Sequence, residues 1–149
     1  MSYIEEFDKL KTKVLKYILF KKRTENEVRQ KFKPDEGELL DDVIDELKDL
    51  KYIDDKTYIE KAIKEYMNLK NLSIKEIEYK LISKGIKKDL IDSYIYDNKD
   101  LLLKYEIKSA KNIIIKKMNS QEKEEIIKYL RKKRYMEDSL KIAILEIEE

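Results

Sequence analysis

The chain has 149 residues, 42% hydrophobic and 44% charged, with a formal net charge of only +2. It contains no cysteine and no histidine, which excludes disulfides, Cys/His zinc sites, cysteine nucleophiles and histidine-based triads. Two glycines and one proline are too few turn-formers for a sandwich or barrel, whereas so much charge suits helices that each bury one stripe and solvate the rest.

Met1–Leu10 is acidic and polar, unlike a signal peptide, and no apolar run approaches the roughly 18 residues of a membrane span. A cytoplasmic protein with no membrane contact is expected, and the absence of cysteine fits a reducing compartment. Ile4, Phe7, Leu10, Val14 and Ile18 form a first apolar stripe whose spacings of three and four mark one helical face. Thr24-Glu25-Asn26-Glu27 then fits a capping box, in which a hydroxyl accepts from the third helical N–H and the Glu reaches back. Lys33-Pro34-Asp35 reads as a break before the stripe Leu40, Val43, Ile44 and Leu47. Asp54 or Asp55 can accept from the N–H groups of the next helix and complement its dipole, with Tyr52 and Ile53 anchoring the turn in the core.

Ile59, Ala62, Ile63 and Tyr66 repeat the helical pattern, and Ser73-Ile74-Lys75-Glu76 is a second capping box. Lys84-Gly85-Ile86 is a second break, where glycine can take the left-handed conformation that ends a helix. Leu103, Ile107, Ala110 and Ile114, then Leu140, Ala143, Ile144 and Ile147, close the series.

These signals recur. Thr24 and Ser73 lie 49 positions apart, as do Val28, Ile77 and Ile126, then Phe32, Leu81 and Leu130, then Tyr17, Tyr66 and Ile115. A fixed period of this length marks a repeat protein. The expected fold is all-α: three tandem three-helix repeats, at 1–53, 54–97 and 98–149, forming an elongated, curved array. No Ser/Gly-rich linker separates the units, so end-to-end packing is expected. The third unit diverges most, with Glu122 at the cap position and Arg134 where Gly85 stands.

The junction Leu47-Lys48-Asp49-Leu50-Lys51-Tyr52-Ile53-Asp54-Asp55-Lys56-Thr57-Tyr58 resembles a recurring stretch of the RecX family, an apolar helix end followed by Gly-Tyr-Ile/Leu-Asp-Asp. Ser73, Ile77, Leu81, Lys84, Gly85 and Ile86 resemble that family's short helix closed by a basic-Gly-Ile turn. Leu15 to Arg29 is similar to its first helix, basic turn and capped second helix. Tyr129-Leu130-Arg131-Lys132-Lys133-Arg134-Tyr135 is similar to its Tyr-Leu, basic, Gly-Phe pattern. Lys51 and Arg134 replace glycines of that pattern, so turns of different shape are expected at both. The resemblance implies a regulator, most simply an inhibitor, that binds the RecA–single-stranded-DNA filament and modulates its ATPase and strand exchange; a monomer is expected, since a three-unit array needs no dimer to bury its cores.

Charge is unevenly distributed. Pro34–Asp55 carries ten acids against two bases, and Lys108–Arg134 carries ten bases against three acids. Lys-rich helices often serve only as solvated faces, but a bipolar array could set basic residues near DNA phosphates or acidic patches of a recombinase. Candidate contacts to RecA or to single- or double-stranded DNA are Lys21, Lys22, Arg23 and Arg29 in the first unit and Lys84 in the second. Lys116, Lys117, Arg131, Lys132, Lys133 and Arg134 complete them in the third. The eleven tyrosines are expected half-buried at helix seams with the hydroxyl in water.

Catalysis finds no support. Adjacent carboxylates such as Asp41-Asp42 and Asp54-Asp55 diverge by about 100° on a helix, and there is no phosphate loop, nucleophile elbow or metal-ligand set. A non-enzyme with no catalytic residue, no cofactor and no metal is expected. A competing expectation is a stand-alone helix-turn-helix DNA-binding protein reading with Ser73–Leu81. There Glu76 and Glu78 beside Lys75 and Lys80 make a poor balance for a groove-entering helix. A scaffold that binds neither partner is the third alternative.

Overall fold

The computed structural model describes residues 1–149 and contains nine α-helices and no strand. They are α1 (Tyr3–Phe20), α2 (Glu25–Lys31), α3 (Glu38–Asp49), α4 (Asp55–Leu69), α5 (Ile74–Ser83), α6 (Lys88–Asp97), α7 (Lys99–Lys117), α8 (Lys123–Lys132) and α9 (Glu137–Glu148). The break at Lys33–Asp35 is a single 3-10 turn with Pro34 in it. No helix is long and apolar enough to cross a membrane.

Buried apolar residues fall into three clusters. The first joins Leu10, Val14 and Ile18 of α1 to Val28, to Leu40, Val43, Ile44 and Leu47 of α3, and to Ile53. The second joins Ile59, Ala62 and Ile63 to Ile77, Leu81, Ile86 and Ile91, and also takes Leu102 and Tyr105 from α7. The third joins Ala110, Ile113 and Ile114 of α7 to Ile126, Leu130, Tyr135, Leu140 and Ala143. At about 1.5–3 kcal/mol per fully buried aliphatic side chain, each cluster is the main support of its helices. Three helical triplets around three cores agree with a repeat architecture.

The long helix α7 serves two cores, so it buries two faces. Leu102, Tyr105, Glu106 and Ser109 turn towards the second cluster and its boundary, Ala110, Ile113 and Ile114 towards the third. The single stripe Leu103, Ile107, Ala110 and Ile114 therefore captures part of its buried surface; Leu103 and Ile107 are only half-buried. Ile4 is exposed, because the first core begins at Leu10.

Both capping boxes form. Thr24 and Ser73 accept from the N–H groups of Glu27 and Glu76, and those carboxylates accept from the N–H groups of Thr24 and Ser73. The ends of α5 and α8 are matching left-handed caps. Gly85 donates to Ile82 and Ile86 to Leu81; Arg134 donates to Arg131 and Tyr135 to Leu130. This is the Schellman pattern, which drives the second residue past the cap into the core; Ile86 and Tyr135 are buried accordingly. The turns at Lys51 and Arg134 do not change shape where glycine is missing. Both residues adopt the left-handed conformation, with φ of 66° and 71° beside 78° at Gly85. The hydrogen-bond frame dictates the geometry, and the side chain bears the strain of about 1 kcal/mol or more.

At each of these two turns the carbonyl of the cap residue is taken by the preceding unit. The Thr24 hydroxyl donates to the Lys84 carbonyl at 2.8 Å, and the Ser73 hydroxyl to the Lys133 carbonyl at 2.6 Å. One hydroxyl thus caps its own helix and docks the next unit, and both residues are fully buried.

Carboxylates complete the joints. Asp54 caps α4 through the N–H and hydroxyl of Thr57, whereas Asp55 reaches back to accept from the N–H of Glu25 on α2. At the second joint Glu106, fully buried, accepts from the N–H groups of Ile74 and Met136 at 2.7 and 2.8 Å. It neutralises the exposed N–H ends of α5 and α9 together. Tyr105 donates to the Leu72 carbonyl, and Tyr135 shares a short hydrogen bond with Ser109. Burial pushes both tyrosine hydroxyls above their ordinary range. These two tyrosines are therefore buried and bonded, while Tyr79 and Tyr96 stand in solvent. Tyr52 is also largely exposed, and Ile53 alone anchors its turn.

Candidate interaction surface

Charge on the surface sorts by what each cation is already bound to. Arg29 is held by Glu25 at 3.0 Å and Asp41 at 2.7 Å, and Lys48 binds the other oxygen of Glu25. Burial opposes the charge on Glu25, but the bonds from Lys48 and Arg29 prevail and hold its carboxyl below the usual range. Arg131 makes two hydrogen bonds to Glu137. Lys84 and Lys133 belong to the joints: their ammonium groups lie 3.7 and 3.6 Å from Glu27 and Glu76, and Lys133 also donates to the Asn71 carbonyl. These four candidates already have partners within the fold.

Two others are engaged by aromatic rings. The Arg23 guanidinium lies 4.1 Å from the centre of the Tyr17 ring, and Lys117 lies 4.2 Å from that of Tyr129. Lys133 reaches the same Tyr129 ring at 5.5 Å, so the end of α7 and the end of α8 share one basic-aromatic patch. Such contacts contribute about 0.5–1 kcal/mol at exposed sites.

Lys21, Lys22, Lys116, Lys132 and Arg134 are exposed and form no ion pair. Burial and the adjacent Lys61 on α4 push the Lys22 ammonium below its ordinary value. The structure thus brings Lys22 together with Lys61, a residue that sequence reasoning missed because no local pattern marks it. No contact joins the Lys21–Arg23 turn to the third-unit cations. The first turn of α5 is closed into the second joint, with Ser73, Ile77, Glu78 and Leu81 buried, so this helix does not present a free N-terminus to a DNA groove.

No family model matches the chain. A curated relative from Lactococcus lactis subsp. lactis, "Regulatory protein RecX", is 32% identical over 155 residues, covering 97% of this chain and 57% of that protein. The Regulatory protein RecX of Finegoldia magna is 37% identical over 83 residues, covering 54% of this chain and 40% of its own length. That of Streptococcus agalactiae is 36% identical over 81 residues, covering 53% of this chain and 31% of its own. The chain is similar in sequence to regulatory proteins of the RecX family. It spans between about a third and just over half the length of these RecX relatives.

Solved RecX structures share the fold. The crystal structure of RecX from Lactobacillus salivarius superposes with a TM-score of 0.81 at 22% identity, covering 97% of this chain and 98% of that one. A second crystal structure of regulatory protein RecX gives a TM-score of 0.75 at 18% identity, covering 95% and 72%.

Proposed function

We propose that this protein regulates the RecA recombinase, as an inhibitor that binds the RecA–single-stranded-DNA filament and slows its ATPase and strand exchange. It acts by binding, as a cytoplasmic monomer, with the units 1–53, 54–97 and 98–149 forming one contact array. The observation that carries this reading is the likeness to a regulatory protein RecX along 97% of the chain. The joints support it. Hydroxyl, carboxylate and ammonium bonds cross between neighbouring units, so the units present their surfaces in fixed register. The uncommitted cations Lys21, Lys22, Lys116, Lys132 and Arg134 offer charge to DNA phosphates or acidic protein surface without dismantling the fold.

The test is single-stranded-DNA-dependent ATP hydrolysis by RecA, titrated with the purified protein. Hydrolysis is expected to slow as the protein approaches the filament's own concentration. An unchanged rate across the titration, together with no co-sedimentation with filaments, rejects the proposal.

A further inference from the structure

The two joints are built alike except at one register, and there they diverge sharply. At the first, Gly85 sits against Asn26: a Cβ added to Gly85 would lie 2.2 Å from the Asn26 side chain, so the surfaces are in contact. At the second, 49 residues on, Arg134 replaces Gly85 and Lys75 replaces Asn26. A cleft of about 290 Å³ opens between them, lined by Lys75, Glu78, Tyr79, Ile82, Lys88 and Arg134. The four α5 residues follow the i, i+3, i+4, i+7 spacing of one helix face.

Arg134 is held at a φ of 71° that glycine would adopt freely, and its guanidinium has no acidic partner or side-chain hydrogen bond. The turn's own hydrogen bonds hold this φ, so the guanidinium takes no part in fixing the turn and is left free for a ligand. Lys75 is paired with Glu78, whose carboxylate is nearly buried, and Lys88 with the exposed Asp92. Three cations thus face one carboxylate, next to the exposed ring of Tyr79 and the apolar edge of Ile82. A cationic rim beside a free aromatic face is the pairing that takes a phosphate and a base together. A carboxylate within the rim accepts hydrogen bonds from a base or sugar.

We propose that this cleft binds one nucleotide unit, with the phosphate on Arg134 and the two lysines and the base against Tyr79. The unit can come from a free nucleotide or from a single strand, and the site needs no RecA.

Binding is measured by fluorescence anisotropy with a labelled oligothymidylate, competed in turn by a nucleoside monophosphate, inorganic phosphate and an acidic peptide. Arg134→Gly is expected to weaken oligonucleotide binding about tenfold, the loss of one charge-assisted contact, while raising the Tm because the left-handed turn is relieved. A weaker ligand site in a more stable protein cannot come from misfolding. Tyr79→Ala is expected to weaken binding about fivefold or more. Equal competition by the monophosphate assigns the site to free nucleotides, and competition by the oligonucleotide alone assigns it to a strand; both support the proposal. Affinity unchanged within twofold in both variants, no nucleotide binding at all, or stronger competition by the acidic peptide overturns it. All these outcomes are read without RecA, so they are separate from the fate of the RecA-directed role.

Discussion

Replacing Glu106 by alanine removes the only group that reaches the first N–H of α5 and the N–H ahead of α9 at once. Glu106 is fully buried, with contacts of 2.7 and 2.8 Å to Ile74 and Met136. Alanine leaves two donors without an acceptor in a site closed to water, at about 1–3 kcal/mol each. It also removes the negative charge opposing two helix dipoles. The expected loss is about 3–5 kcal/mol, a large share of the roughly 5–15 kcal/mol that holds a domain of this kind. In urea unfolding followed by far-ultraviolet circular dichroism, the midpoint falls by about 2 M for a slope near 2 kcal/mol/M. Glu106→Gln keeps one carbonyl oxygen but turns an amide donor towards the other N–H, and is expected to lose about 2 kcal/mol. Glu60→Ala, on the exposed face of α4, serves as control and stays within about 0.5 kcal/mol. A Glu106→Ala protein as stable as that control refutes the account of the second joint.

At the first joint, burial raises the Asp55 carboxyl above its ordinary 3.8. The folded protein then holds that proton more tightly than the unfolded chain, so stability falls as pH rises through the window from 3.8 upward. Asp55→Asn retains an acceptor for the Glu25 N–H and should flatten this slope without loss at neutral pH; a steeper slope in chemical denaturation counts against it. Gly85→Ala combines a disfavoured φ with a clash against Asn26, for an expected loss of about 2–3 kcal/mol; adding Asn26→Ala recovers little of it in the same thermal melts, because the Asn26 Cβ itself lies 2.3 Å from the added methyl. Glu122 caps α8 without a side-chain hydrogen bond. Glu122→Ser should restore the cap found at Thr24 and Ser73 and raise stability by about 1 kcal/mol, readable as a higher Tm; a fall would show that the third cap is shaped differently.

Features written in short stretches of sequence were legible. The capping boxes at Thr24 and Ser73 and the stop at Gly85 need only neighbours within four residues, and the 49-residue recurrence places all three second helices in order. What the period could not convey is which polar groups are buried. Thr24 and Ser73 look like ordinary surface caps until the Lys84 and Lys133 carbonyls are set against them. Glu106 is one of 32 acidic residues, and nothing local distinguishes it from its solvated neighbours. Asp54 and Asp55 carry identical side chains one residue apart, and only the position of α2 divides them into a cap and a tie. The basic candidates suffered from the same blindness. Arg29, Lys84, Arg131 and Lys133 look free in a string of letters and are engaged in the fold, whereas Lys61 carried no mark at all and Lys75 stood out only as part of a capped helix start.

The shared hydroxyls also impose an order in time. Thr24 finds its acceptor 60 residues downstream at Lys84, and Ser73 finds its own 60 residues downstream at Lys133. A ribosome releases the chain from its N-terminus, and domains consolidate as they emerge. The second helices of the first two units therefore leave the exit tunnel capped but with the hydroxyl's own donor bond unmade, and the unit behind completes it. Assembly runs as a relay from first unit to last, and damage to a later turn is felt in the helix synthesised before it.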